Sequence, residues 1–396
     1  MELDIMGNFS TYYIRGFKSP GMYIQGRGVL VYLGKLVKRF GKRALVLSDK
    51  IVWNIVGSII GSSLKNFDIH FIYSVFGGEC SWNEINRISS IAIENGVDMV
   101  IGIGGGKALD TAKAVAIPNG LAAVMVPTIA STDAPITAHS VIYTEPYPGK
   151  LLELLFFPRN PDIIIVDTEV IAKAPPRFLA AGMGDAASHY WEARAIFAGN
   201  KSNFVYMDYN GRKGVEPLKP FDVGFIFASH AWEILRRHGV LAMDSARTRV
   251  VTPSLDMVVY ANTLLSGLAV ENCGTALAHA VGNGLSALEE KMKPMQYHGE
   301  MVAFGTLVEI VAEDPPMIQE YICWAHSIGL PITLQELGLE NVTDDELYQI
   351  AERAKMSLGF SRIPYEIMPE KLVELIKIAD KIGRKLGERC PRQPYS

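Results

Sequence analysis

Three consecutive glycines and a lysine, Gly104 to Lys107, join an apolar run to a helical-looking segment in the stretch MVIGIGGGKALDTAKAVA (Met99 to Ala116). A strand that ends in glycines before a helix turns backbone N–H groups and the positive helix end toward an anion. Without Cβ atoms, the same backbone can approach a pyrophosphate closely. A tight turn with no ligand is the other reading of these residues. The phosphate loop of nucleotide triphosphatases is excluded twice, because position 101 is Ile where it needs Gly and position 108 is Ala where it needs Ser or Thr. The GxGxxG spacing starting at Gly102 and Gly104 breaks at Lys107, so this is a phosphate cradle of another pattern. Asp49 follows the run RALVLS, where a carboxylate can accept from a ribose diol and repel a 2′-phosphate, favouring NAD over NADP. It would equally serve as the cap of the next helix.

Stepping from the loop to what must hold it, strands are expected at Arg43 to Asp49, Asp68 to Phe76, Val97 to Ile103, Ala122 to Thr128 and Asp162 to Asp167. Several are apolar throughout rather than alternating, as in parallel sheets covered by helices on both faces. Between them, Ile85, Ile88, Ile91 and Ile93 are spaced for one helical face. This alternation predicts βαβ units. After Pro175-Pro176 strand-like runs become rare, and Arg177 to Ala198, Leu255 to Leu288 and His298 to Ala312 carry apolar residues at helical spacing. An α/β N-terminal domain with a parallel sheet (1–174) and an all-α C-terminal domain (175–396) are therefore expected.

The 396 residues, 49% hydrophobic and 20% charged, are those of a globular protein long enough for two cores. A formal charge of −4 gives no electrostatic footprint for nucleic acid or anionic lipid. The N-terminal residues lack the basic start and apolar core of a secretion signal, and no apolar run approaches the roughly 18 residues of a membrane span. Cys80, Cys273, Cys323 and Cys390 show no CxxC spacing, so neither a disulfide framework nor a thiolate zinc site is expected, and a reducing cytoplasmic compartment is.

GGGKALDTAKA, together with VPTIASTDAPITAHSVIYTE (Val126 to Glu145) and AGMGDAASHYWEARA (Ala181 to Ala195), resembles the glycerol dehydrogenases of the metal-dependent, iron-containing alcohol dehydrogenase superfamily. FGGECS, PRNPDIIIVDTEVIAKAPPRFLAAGMGDA and YHGEMVAFG extend the resemblance, which runs from about Gly21 to Gly383. It implies the dehydroquinate synthase-like, iron alcohol dehydrogenase fold, with NAD in a cleft between the two domains. It places metal ligands on Asp185, His279 and His298. Cofactor contacts fall on Asp49, Gly105, Gly106, Lys107, Thr128, Ser131, Thr137 and Tyr143, and Asp133 matches the carboxylate that meets the substrate. A homo-oligomer is also implied.

The chemistry of the residues agrees with that placement. A carboxylate and two imidazoles with an open position suit catalytic zinc, and ferrous iron as well. His279 and His298 are 19 positions apart, so only tertiary folding can bring them together, and Asp185 is expected near the start of its helix. The sequence departs from the glycerol enzymes at three places. His189, at i+4 from Asp185, matches a further ligand of iron-type members, and is read either as a ligand or as an interior partner of the site. Gly282 stands where the glycerol enzymes usually carry histidine. Lys201 to Gly224 is about ten residues longer than the family norm, and its Phe204, Tyr206 and Tyr209 would alter substrate choice if the segment reaches the cleft.

The expected reaction is NAD-dependent oxidation of glycerol or a related vicinal diol to the hydroxyketone. A Lewis-acidic cation would lower the pKa of the reacting hydroxyl, and Asp133 would hold a remaining one. Enzymes resembling 3-dehydroquinate synthase or glycerol 1-phosphate dehydrogenase are the alternatives within the fold. The lysine-free stretch ASTDAP counts against both, since each must bind a substrate phosphate. A non-catalytic NAD-binding protein is the alternative outside enzymes.

Overall fold

The computed structural model describes residues 14–210 and 213–390. Its strands are β1 (Tyr23–Gly26), β2 (Arg43–Ser48), β3 (His70–Val75), β4 (Met99–Gly104), β5 (Ala122–Pro127), β6 (His139–Tyr143), β7 (Leu151–Phe156), β8 (Ile163–Asp167), β9 (Tyr206–Asn210) and β10 (Lys213–Pro217). Six of them form one sheet in the order β1-β8-β5-β4-β2-β3, every pair parallel. All five expected strands lie in it. β1, a half-buried edge strand of sequence YIQG, is too short and too polar to have signalled itself. Residues of β4 and β8 are buried throughout. Alternate side chains feed two cores: Ala44, Val46, Met99 and Ile101 on one face, Leu45, Leu47 and Val100 on the other.

The first helices are α1 (Leu33–Val37), α2 (Lys50–Lys65), α3 (Trp82–Glu94), α4 (Gly106–Ala116) and α5 (Thr168–Ala172). In α3 the buried stripe is Ile85, Ile88 and Ala92, whereas Ile93, expected on that face, is 64% exposed. The helical region follows with α6 (Pro176–Ala198), α7 (Asp222–Thr248), α8 (Pro253–Tyr260), α9 (Ser266–Cys273), α10 (Leu277–Leu285), α11 (His298–Glu313), α12 (Ile318–Ser327), α13 (Asp344–Lys355) and α14 (Pro369–Gly387). The expected continuous run Leu255 to Leu288 is divided. A π-helical turn, Ala261–Leu265, joins α8 to α9, and Gly274 at φ 91°, a left-handed conformation that side chains disfavour, separates α9 from α10.

Two further expectations need correction. The helical region is not purely α, since β9 and β10 pair antiparallel as a hairpin within the long segment 201–224. Cys323 and Cys390 are joined by a disulfide across 67 residues of sequence, with Cα atoms 4.9 Å apart. That pairing depends on the docking of α14 beside α12, which spacing along the chain does not reveal. No helix among the described residues is long and apolar enough to cross a membrane.

The topology itself selects a place for a ligand. From β2 the chain steps outward to β3, then crosses back to β4 on the other side of β2. The strand order therefore reverses between β2 and β4, and in open α/β sheets the crevice outside the carboxyl ends at such a point is where ligands bind.

Candidate active site

Asp49 and Gly105 directly follow β2 and β4, at the two sides of that crevice. Gly104 has φ 147°, and a Cβ on Gly102 would lie 2.5 Å from Ala112 Cβ, so α4 packs hard onto its own strand. No side chain caps the start of α4, which leaves its first N–H groups directed outward for an anion. The Asp49 carboxylate accepts from Val52 N at 2.9 Å, so it caps α2 from the position where a ribose would be read. Thr128 N donates to Gly104 O at 3.1 Å, which ties the loop after β5, with Ser131 and Asp133, to the glycine loop.

Other expected cofactor residues are engaged with protein groups. Lys107 Nζ lies 2.8 Å from Glu79 Oε2 and 4.4 Å from the Tyr143 ring centre. The Thr137 hydroxyl and carbonyl each receive a hydrogen bond of 3.2 Å from Lys113 Nζ, a fully buried ammonium paired with Asp110 at 2.9 Å. Glu79 and Lys113 were not foreseen from the sequence.

The helical side of the site is built from three helices in backbone contact. Asp185 lies in the middle of α6, not near its start, because the helix begins at Pro176. A Cβ on Gly184 would lie 2.4 Å from Gly299 O, one on Gly299 would lie 1.9 Å from Ala181 O, and one on Gly305 would lie 2.2 Å from Ala278 O. At Gly282, where a histidine was expected in related enzymes, a Cβ would meet Val302 Cγ2 at 2.9 Å. These glycines let α6, α10 and α11 approach closely enough for side chains on three separate helices to converge.

What converges is the expected set. Asp185 Oδ1 faces His279 Nε2 at 3.3 Å and His298 Nε2 at 3.7 Å. His189 joins them: its ring stacks on His279 with centres 5.2 Å apart, and its Nε2 faces Asp133 Oδ2 at 3.4 Å. Donor atoms of Asp185, His189 and His279, all buried, lie within 4.8 Å of one another. Asp185 Oδ1 and both ring nitrogens of His189 are buried with no hydrogen-bond partner among the described residues. An orphaned carboxylate oxygen among imidazole nitrogens is costly unless something binds it, and the donor set fits a divalent cation.

Two supporting residues were missed. Glu192 falls at i+7 from Asp185 and i+3 from His189 on the same face of α6, and its Oε2 accepts from His279 Nδ1 at 2.8 Å. Asn262, in the π turn, donates to Ala130 O at 2.9 Å and Leu179 O at 3.1 Å, clamping the loop that carries Ser131 and Asp133 to α6. The 185, 189, 192 spacing was a readable signal for the first; nothing local marked the second.

The charges are strongly coupled. Burial pushes the Asp133 carboxyl upward, but His189 more than offsets it and leaves it at about 2. Burial draws His189 down, and its two carboxylate neighbours Asp133 and Glu192 outweigh that, raising it to about 9.

The long segment is packed rather than peripheral on its inner side. Phe204 is buried with Phe156 and Val270, 5.6 Å from the Phe156 ring and 5.7 Å from His139, and Tyr206 and Tyr209 pack against this cluster. Its outer residues, Met207 and Val215, face solvent.

Residues 20–168 match the model of the iron-containing alcohol dehydrogenase family. The glycerol dehydrogenase of Thermotoga maritima is 43% identical over 92% of this chain and 96% of its own. This chain belongs to the glycerol dehydrogenases of the iron-containing alcohol dehydrogenase family. The glycolaldehyde reductase of Halobacterium salinarum is 40% identical over 94% of this chain and 99% of its own, so the family covers more than one substrate name. The crystal structure of the glycerol dehydrogenase of Schizosaccharomyces pombe superposes with a TM-score of 0.87 at 34% identity, covering 96% of this chain and 95% of that one.

Proposed function

We propose that this glycerol dehydrogenase family member oxidises glycerol or a related vicinal diol to the hydroxyketone with NAD. The observation that carries the reading is the convergence of Asp185, His279, His298 and His189 around one unpartnered buried carboxylate oxygen. Asp185, His279 and His298 would hold zinc or ferrous iron, with His189 offering a fourth nitrogen from the same pocket. When bound, the cation supplies Lewis acidity to the reacting hydroxyl and NAD accepts the hydride.

The chain's own residues do the placing. Residues 1–174 bind the dinucleotide: Gly105 and Gly106 present the N–H groups of α4 to its pyrophosphate, with Asp49 at the ribose. Thr128 and Ser131 fix the nicotinamide end, while Lys107, Thr137 and Tyr143 frame the cofactor side. Residues 175–396 carry the metal side. Asp133, held ionised by His189, accepts from the remaining polyol hydroxyl, so a simple alcohol leaves that carboxylate unpaired. Run in reverse, the same site reduces the hydroxyketone, and with ethane-1,2-diol as the diol the carbonyl form is a hydroxyaldehyde, the substrate in the name of the Halobacterium relative. A homo-oligomer belongs to this proposal through the family resemblance.

The test is NADH absorbance across a panel of diols, simple alcohols and hydroxyaldehydes, before and after chelation and zinc reloading. Turnover on 1,2-diols that chelation removes and zinc restores supports the proposal. Cofactor binding without turnover on any of the panel overturns it.

A further inference from the structure

We infer that Glu192 is the positioning residue of this site: one buried carboxylate caps α10 and holds a proton on His279 Nδ1, which turns Nε2 toward the cation. The inference rests on the reading above, in which His279 is a metal ligand. Glu192 is fully buried, and neither of its oxygens is spare. Oε1 accepts from Ala276 N at 2.7 Å and His279 N at 2.9 Å. These are N–H groups at the start of α10, a helix whose own N-cap residue, Ala276, has no side chain able to satisfy them. Glu309, also buried, takes Ala278 N at 2.8 Å, so two carboxylates from neighbouring helices do the work of a cap.

Oε2 acts on the rings. It accepts from His279 Nδ1 at 2.8 Å and from Ser188 Oγ at 3.4 Å, and lies 3.4 Å from His189 Nδ1. A carboxylate only accepts, so His279 Nδ1 carries a proton, and Nε2, the nitrogen that faces Asp185, is the one left to meet a cation. The His189 ring stacks on His279, with its Nδ1 3.4 Å from the same oxygen and its Nε2 3.4 Å from Asp133 Oδ2. One side chain thereby sets the bearing of His279 and bounds the pocket of His189, the ring that faces Asp133.

The experiment compares wild type with Glu192→Gln. The amide oxygen keeps the backbone contacts of Oε1, while the amide nitrogen donates to His279 Nδ1 and drives the proton to Nε2. Zinc affinity is measured by competition with a chromophoric chelator, and the His279 tautomer by nitrogen-15 NMR of zinc-loaded, histidine-labelled protein. We expect Glu192→Gln to bind zinc 10- to 100-fold more weakly, with its thermal unfolding still cooperative. Should that variant fail to fold, the wild-type tautomer decides: a proton on Nδ1 supports the role and a proton on Nε2 overturns it. Zinc binding by wild type that Glu192→Gln matches within twofold overturns this inference alone. Absence of zinc binding by the wild type overturns the functional reading and this inference with it.

Discussion

Gly299→Ala is the sharpest perturbation of the helix crossing that assembles the site. A Cβ at this position would lie 1.9 Å from Ala181 O, against about 3.3 Å for an ordinary carbon–oxygen contact, so α6 and α11 must part locally by roughly 1.4 Å. Ala181 is one turn before Asp185 and Gly299 directly follows His298, so the separation falls on the pair whose ligand atoms now stand 3.7 Å apart. Overpacking of this kind costs about 1–3 kcal/mol, and a 1 Å misplacement of reacting groups costs on the order of 100-fold in rate. Gly61→Ala is the matched control, because a Cβ there meets the Phe71 ring at ordinary distances, Cζ at 3.4 Å and Cε1 at 3.7 Å, in a helix that favours alanine. Calorimetry and zinc titration of both variants should show a lowered thermal midpoint and weakened metal binding for Gly299→Ala alone. If Gly299→Ala behaves like Gly61→Ala in both measurements, close helix contact is not what brings Asp185 and His298 together.

Three further outcomes are expected. Asn262→Leu leaves Ala130 O without its donor and removes a second donor from Leu179 O, and should cost about 1–3 kcal/mol in chemical denaturation; the loosened Ser131–Asp133 loop should raise the KM for polyol. Asp49→Ala should lose about 1 kcal/mol as a helix cap and narrow the preference for NAD over NADP in steady-state kinetics, whereas an unchanged preference would leave Asp49 as a cap only. After chelation, His189 at about 9 is held above its ordinary 6.5, so its stabilising pairing is complete below pH 6.5 and lost as the pH rises toward 9. Thermal midpoints of chelated protein should therefore fall across that window by the equivalent of up to about 3 kcal/mol, and a flat profile would refute the pairing.

The sequence announces those parts whose physics is local. β2, β4, β5 and β8 are buried on both faces and read as unbroken apolar runs, and Gly104 to Lys107 marks the passage from strand to helix. β1 was silent because an edge strand four residues long needs no apolar pattern. Glu192 shares a helix face with Asp185 and His189, but its role as the cap of α10 is tertiary and has no local signal. Gly184, Gly299 and Gly305 carry no signal one at a time, since their meaning is a distance to another helix's backbone. Cys323 and Cys390 are likewise a tertiary pair with no local spacing. The candidate ligands Asp185, His279 and His298 were legible through the family's motifs, but the stacking of His189 on His279 and its approach to Asp133 were not.

The account stands on one cation shared by residues from α6, α10 and α11. Anomalous diffraction at the zinc edge, from crystals of the zinc-loaded protein grown with NAD, locates that cation directly. The account predicts a single strong peak within bonding distance of Asp185 Oδ1 and the Nε2 atoms of His279 and His298, beside the dinucleotide at the ends of β2 and β4. A peak bound elsewhere, or none at these residues in zinc-loaded crystals, would contradict it.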